Sequence, residues 1–126
     1  MAFQDEHPRI THIPADYTDE EYLRAVFVHA ADVMHVDPDA ITVLTTSLDG
    51  DTALHTACLW GDLRAVKLLI AAGAQIDARG DMNATPLYFA VMRGFTDIAD
   101  YLIASGADPD ARSEFGDTPR ELSKNA

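Results

Sequence analysis

Thr52-Ala53-Leu54-His55-Thr56-Ala57-Cys58-Leu59-Trp60-Gly61 is followed, 33 residues further on, by Thr85-Pro86-Leu87-Tyr88-Phe89-Ala90-Val91-Met92-Arg93-Gly94. Threonine, leucine, alanine and glycine hold the same places in both stretches. The register continues through Ile70 and Ile103, Gly73 and Gly106, Ala74 and Ala107, and then Asp77-Ala78-Arg79 and Asp110-Ala111-Arg112. Thr118 opens a third copy at the same spacing. A fixed period kept by glycines and turn residues, and not only by apolar ones, marks one supersecondary unit used several times.

Each unit reads as two helices. Thr52 and Thr85 suit the N-cap, where a hydroxyl accepts an orphan amide proton. Pro86 falls at the first helical position, where a missing N–H costs nothing. A short helix then runs to about Trp60 in one copy and Arg93 in the other, and Gly61 and Gly94 suit the left-handed residue that ends it. A second helix is predicted over 63–72 and over 96–105, with Val66, Leu69, Ile70 and Ile98, Leu102, Ile103 at helical spacing. Gly73 and Gly106 stop those helices. The segments 74–84 and 107–117 are then extended fingers that turn at the tip. Asn83 stands where Gly50 and Gly116 stand, and asparagine tolerates positive φ better than most residues.

The run Thr52-Ala53-Leu54-His55 with Ala57, Gly61, Val66, Leu68-Leu69 and Gly73-Ala74 resembles the ankyrin repeat, over about residues 47 to 126. The resemblance implies an all-α solenoid of stacked helix-turn-helix units with finger loops. It divides the chain into an N-terminal arm (1–15), a degenerate N-terminal capping repeat (16–48), two repeats (49–81 and 82–114) and a truncated C-terminal cap (115–126). In the capping repeat, Thr18-Asp19-Glu20-Glu21 is a capping-box pattern ahead of Tyr22, Leu23, Val26, Phe27, Ala30, Val33 and Met34. Two helices are expected there, near 19–28 and 29–37, with one long helix as the rival. Two whole repeats are too few to bury a continuous core, so the flanking segments must act as caps.

Composition narrows the function. The chain is 48% hydrophobic, enough for a modest core, which argues against a disordered chain. Nine basic against 21 acidic residues give a net charge of −12. Phosphate backbones and anionic lipid repel such a protein, so no direct nucleic-acid or membrane binding is expected, and a basic protein partner is favoured. With one cysteine, Cys58, an internal disulfide is impossible. No apolar run approaches the roughly 20 residues of a membrane span, and no signal peptide is visible, so a cytoplasmic monomer is the expectation.

Candidate chemistry is sparse. Among His7, His12, His29, His35 and His55 there is no close metal-ligand pairing, so neither a metal nor another cofactor is expected. The family resemblance implies that His55 ties a finger backbone to its helix, with Tyr88 replacing it in the next copy. Asp49 and Asp51 flank Gly50, and a carboxylate pair can do acid–base work, but aspartate is favoured in a turn for its local hydrogen bonds. A small hydrolase using Asp49, Asp51 and His55 is therefore the minority reading, and the chain is read as no enzyme. Cys58 takes a small-residue core position, as an inert buried thiol.

The resemblance also implies where a partner sits: on the concave face built from finger tips and exposed positions of the short inner helices. Those finger positions are Leu48, Asp49 and Asp51, then Asp81, Met82 and Ala84, then Glu114, Phe115 and Asp117. The helix positions are Leu59, Trp60, Met92 and Arg93. Apolar side chains rimmed by carboxylates read as a protein-binding surface, with Trp60, Met92, Met82 and Phe115 expected in one stripe. The alternative for Trp60 is burial under the N-terminal segment. Binding is then the whole function, by occlusion of a basic partner. In size, charge and repeat the chain is similar to small acidic ankyrin immunity proteins that neutralise basic toxins. An adaptor that recruits a partner to a complex is the alternative.

Overall fold

The computed structural model describes residues 13–124. The larger part of the expected N-terminal arm, with His7 and His12, lies outside the described residues. Six α-helices follow in chain order: α1 Asp19–Met34, α2 Ala53–Trp60, α3 Leu63–Ala71, α4 Pro86–Met92, α5 Thr96–Ala104 and α6 Pro119–Lys124. No strand occurs among the described residues. Helices α2 and α3 form one antiparallel pair, α4 and α5 the next, and α1 and α6 lie at the two ends of the stack.

The punctuation of the repeat is realised in the backbone. Thr52 and Thr85 cap α2 and α4, each hydroxyl accepting the N–H of the residue three positions on. Gly61 closes α2 in the left-handed region, at φ 77°. It is also where the Phe95 ring comes closest, and a Cβ at Gly61 would lie 2.6 Å from the ring edge. This position therefore needs glycine both for its torsion and for the seating of the next repeat. The core is the seam between layers: Leu54, Val66, Leu69, Leu87, Phe89, Ile98 and Leu102 are buried, with Val26 and Ala30 of α1 closing one end.

The N-terminal segment forms one continuous helix, not the expected pair near 19–28 and 29–37. No glycine or proline interrupts 19–34, whereas Gly61 and Gly94 break the true repeats. Tyr22, Val26, Ala30 and Met34 recur every fourth residue and are buried together along one face. The capping box at its start is complete. Thr18 N–H donates to Glu21 Oε1 at 2.8 Å and Glu21 N–H to Thr18 Oγ1 at 3.2 Å. The Thr18 backbone N–H, and then the Thr18 side chain, hold the Glu21 carboxyl below its usual range.

A clip fastens this helix to the first repeat. The Arg64 guanidinium donates to the carbonyls of Ala15 at 3.1 Å and Tyr17 at 2.7 Å, and pairs with Asp19 at 3.1 Å. It lies 4.2 Å from the centre of the Tyr22 ring. The Tyr22 hydroxyl in turn donates to Asp62, which caps α3 through Ala65 N–H. Burial, and then the Asp62 carboxylate, push the Tyr22 phenol well above its usual range.

Candidate functional site: the finger tips and a groove beside them

Each finger closes on itself with the same two backbone bonds, repeated at 33-residue intervals. Ser47, Gly80 and Ser113 donate N–H to the carbonyls of Asp51, Ala84 and Asp117 at 2.8–2.9 Å. Gly50, Asn83 and Gly116 donate back to Ser47, Gly80 and Ser113. These three turn residues have φ of 90°, 55° and 89°, so Asn83 does adopt the left-handed torsion. Met82 is left-handed as well, at φ 60°, which the sequence pattern did not signal.

Adjacent fingers are fastened to one another. Asp51 Oδ1 accepts the N–H of Asp81 at 2.8 Å, and the Met82 carbonyl accepts the N–H of Glu114 at 2.8 Å. Arg79 donates to the carbonyls of Asn83 in its own finger and Arg112 in the next. Gly80 sits under the Asp51 tie, where a Cβ would come within 2.1 Å of Asp51 Oδ1 and 2.9 Å of His55 Nε2. Only glycine leaves room for both side chains.

His55 is fully buried. Its Nδ1 accepts the Thr52 N–H at 3.0 Å, so the ring is neutral and Nε2–H donates to the Ala84 carbonyl, also at 3.0 Å. Burial lowers its proton affinity. The tie from finger to helix implied by the family resemblance is thus present, and both ring nitrogens are spent on it. The trio Asp49, Asp51 and His55 does not form a catalytic constellation, because His55 has no nitrogen left to serve a substrate and is closed off from solvent. In the next copy Tyr88 takes another route, its hydroxyl donating to both Asp117 oxygens at 3.1 Å. Asp117 also accepts from Ser113, and those two donors hold its carboxyl below the usual range. Cys58 is fully buried, and burial pushes its thiol up.

Ala84 is buried and so leaves the expected surface, and the other candidate surface residues fall into groups. Leu48, Asp49, Asp51, Leu59 and Trp60 line one groove of about 720 Å³. Its other wall, which the sequence reading missed, comes from the end of α1 and the turn after it: Val33, Met34, His35 and Val36. Leu48 and Phe115 are exposed at the outer finger tips, and Met82, half-buried, lies between them in chain order. Met92 is exposed at the end of α4, and the neighbouring Arg93 guanidinium is 6.0 Å from the Phe95 ring. Neither lines the groove. Trp60 is half-buried: the His29 ring packs against it in a T-shaped arrangement, 6.4 Å between centres, and the residue also lines the groove. Asp51 and Asp117 are tied internally, whereas Asp49, Asp81 and Glu114 are exposed at the tips. No cluster of potential metal ligands occurs among the described residues. No helix among them is long and apolar enough to cross a membrane.

Stacked helix pairs that touch only their neighbours, with tied fingers along one edge, define a helical repeat solenoid. A family model described as ankyrin repeats, in three copies, matches residues 15–113, and the chain belongs to that family. The matched residues include α1. Protein phosphatase 1 regulatory subunit 27 of Homo sapiens is 45% identical over 59 residues, covering 47% of this chain and 38% of the relative. The protein of the same name from Mus musculus matches to the same extent. Protein PhlB of Serratia liquefaciens is 38% identical over 71 residues, covering 49% of this chain and 31% of the relative. The chain thus spans about a third of the length of these relatives.

Proposed function

We propose that the chain is a non-catalytic protein-binding module that captures a basic protein partner on its acidic and apolar concave face, inhibiting it by occlusion. The supporting observation is the split among the acidic residues. Asp51 and Asp117 build the fingers and Asp81 accepts the Met82 N–H, which leaves Asp49 and Glu114 exposed beside Leu48 and Phe115. Carboxylates without a structural task around exposed apolar side chains suit a partner of opposite charge. Neutralising a basic toxin, as an immunity protein does, is the form of this reading closest to the chain's size and charge. The likeness to a phosphatase regulatory subunit favours a second reading, an adaptor whose bound partner is an enzyme that it redirects.

Partner capture by the full chain followed by paired binding and melting measurements tests the assignment. Trp60→Ala should weaken binding by about 2 kcal/mol, a typical hot-spot cost. It should destabilise the fold less than Leu69→Ala, a buried truncation that costs about 2–5 kcal/mol. Unchanged affinity with a lowered Tm would make Trp60 a packing residue and remove it from the binding face. A gain of inhibition on adding the chain to its captured partner supports occlusion, and a changed substrate preference supports the adaptor.

A further inference from the structure

The groove between α1, the first finger and the end of α2 has a two-part lining. Apolar Val33, Val36, Leu48, Leu59 and Trp60 line it together with polar His35, Thr46, Ser47 and Thr56 and the carboxylates Asp49 and Asp51. No lysine or arginine among the described residues lines it, in a chain of net charge −12. At about 720 Å³ it has room for a side chain. A lining of this kind matches a side chain with an apolar stem and a cationic head.

We propose that this groove receives an arginine side chain of the partner, with its stem along Leu48 and Leu59 and its guanidinium between the Trp60 indole and the Asp49 carboxylate. The proposal rests on reading the concave face as the binding surface and names what enters one part of it. Asp49 is the acceptor because it is exposed and no internal hydrogen bond or ion pair engages it among the described residues, whereas Asp51 already holds Asp81 N–H. Arginine fits better than lysine on two counts. A planar guanidinium stacks on an indole face, and it is more weakly hydrated than an ammonium, so it loses less on entering an apolar groove. Its fork also matches a carboxylate in two bonds at once, which a lysine cannot do. A purely apolar side chain would leave the rim carboxylate facing it without compensation, and an anion would be repelled.

Trp60 is the only tryptophan, so its fluorescence in the full chain reports the groove directly. The probes are three nonapeptides identical except at the centre: one arginine flanked by leucines, the same peptide with citrulline, and the same with lysine. The arginine peptide should shift Trp60 emission saturably, with affinity about tenfold above the uncharged citrulline peptide and above the lysine peptide as well. Asp49→Asn should remove most of the difference between arginine and citrulline, while Glu20→Gln, exposed at the opposite end of α1 from the groove, should preserve it. Equal affinity for arginine and citrulline overturns the proposal. So does a preference that survives Asp49→Asn, or the absence of any shift at millimolar peptide. An emission that depends on protein concentration without peptide would mean that a second copy covers the groove, which also overturns it. The broader reading fails separately: if partner capture is unaffected by Met82→Ala and Phe115→Ala together, the concave face is not the binding surface, whatever the peptides show.

Discussion

His55 shows how much one buried ring can carry. Its Nδ1 closes the capping box of α2 and its Nε2–H holds the Ala84 carbonyl of the next finger, and the first of these bonds requires the neutral form. An unfolded histidine takes up a proton below about pH 6.5, but the folded ring resists it because burial lowers its affinity. Below that pH the unfolded state binds more protons than the folded state, so stability falls as acid is added. One such group contributes a slope of up to about 1.4 kcal/mol per pH unit. Melting curves between about pH 7.5 and pH 5.5 should show a falling Tm. His55→Gln, which keeps a side chain able to close the capping box, should lower Tm at neutral pH and flatten that dependence. An unchanged slope would place the acid sensitivity elsewhere. The structural role of this histidine was legible in the sequence from the repeat resemblance. The roles of Asp51 and Asp117 were not, because a carboxylate beside a turn can point to water or to its neighbour. Only the packed fingers show that Asp51 reaches Asp81 N–H while Asp49, two residues away, reaches no partner among the described residues.

At the scale of helices, α1 behaves as the closing layer of the stack. Its buried face of Tyr22, Val26, Ala30 and Met34 lies against α2 and α3, and Arg64 fastens its start. Removing residues 1–40 would expose that face of the first repeat and leave about two repeats, below the usual minimum for a stable array. The fragment 41–126 should therefore lose its cooperative melt by circular dichroism, and a sharp transition near that of the full chain would show that α1 is dispensable. Threonine caps and glycine stops placed α2 to α5 within about one residue, because those residues act through local backbone geometry. The length of α1 was harder to read. An apolar stripe continues equally well through one helix or across a break, and the deciding signal was the absence of glycine and proline. The groove wall from Val33 to Val36 could not be read from the stripe either. It depends on how α1 lies across the first finger, a long-range placement with no local mark in the sequence.

For the molecule as a whole, charge sets the rate at which partners arrive. With 21 acidic residues against nine basic, and the uncommitted carboxylates of Asp49 and Glu114 at the finger tips, long-range attraction should steer a basic partner. The Debye length falls from about 30 Å at 0.01 M salt to about 8 Å at 0.15 M. The association rate should fall by an order of magnitude or so across that range while dissociation changes little, as stopped-flow or surface-based kinetics would show. A salt-independent association rate would mean that apolar contact alone drives capture.

The bonds between neighbouring fingers have a further consequence. Loops are usually the most mobile part of a protein, and a partner that meets a mobile loop must freeze it. Here the first tip is fastened to the second by Asp51 and Asp81, and the second to the third by Met82 and Glu114. The three tips therefore form a stiff comb, and little ordering entropy remains to be lost when something docks on it. The fastenings use backbone groups and the side chains of Asp51 and Arg79, so the side chains at 48, 49, 114 and 115 are left out of the framework. The comb can be given new teeth at those four places without rebuilding its spine, which makes this small chain a ready scaffold for redirected recognition.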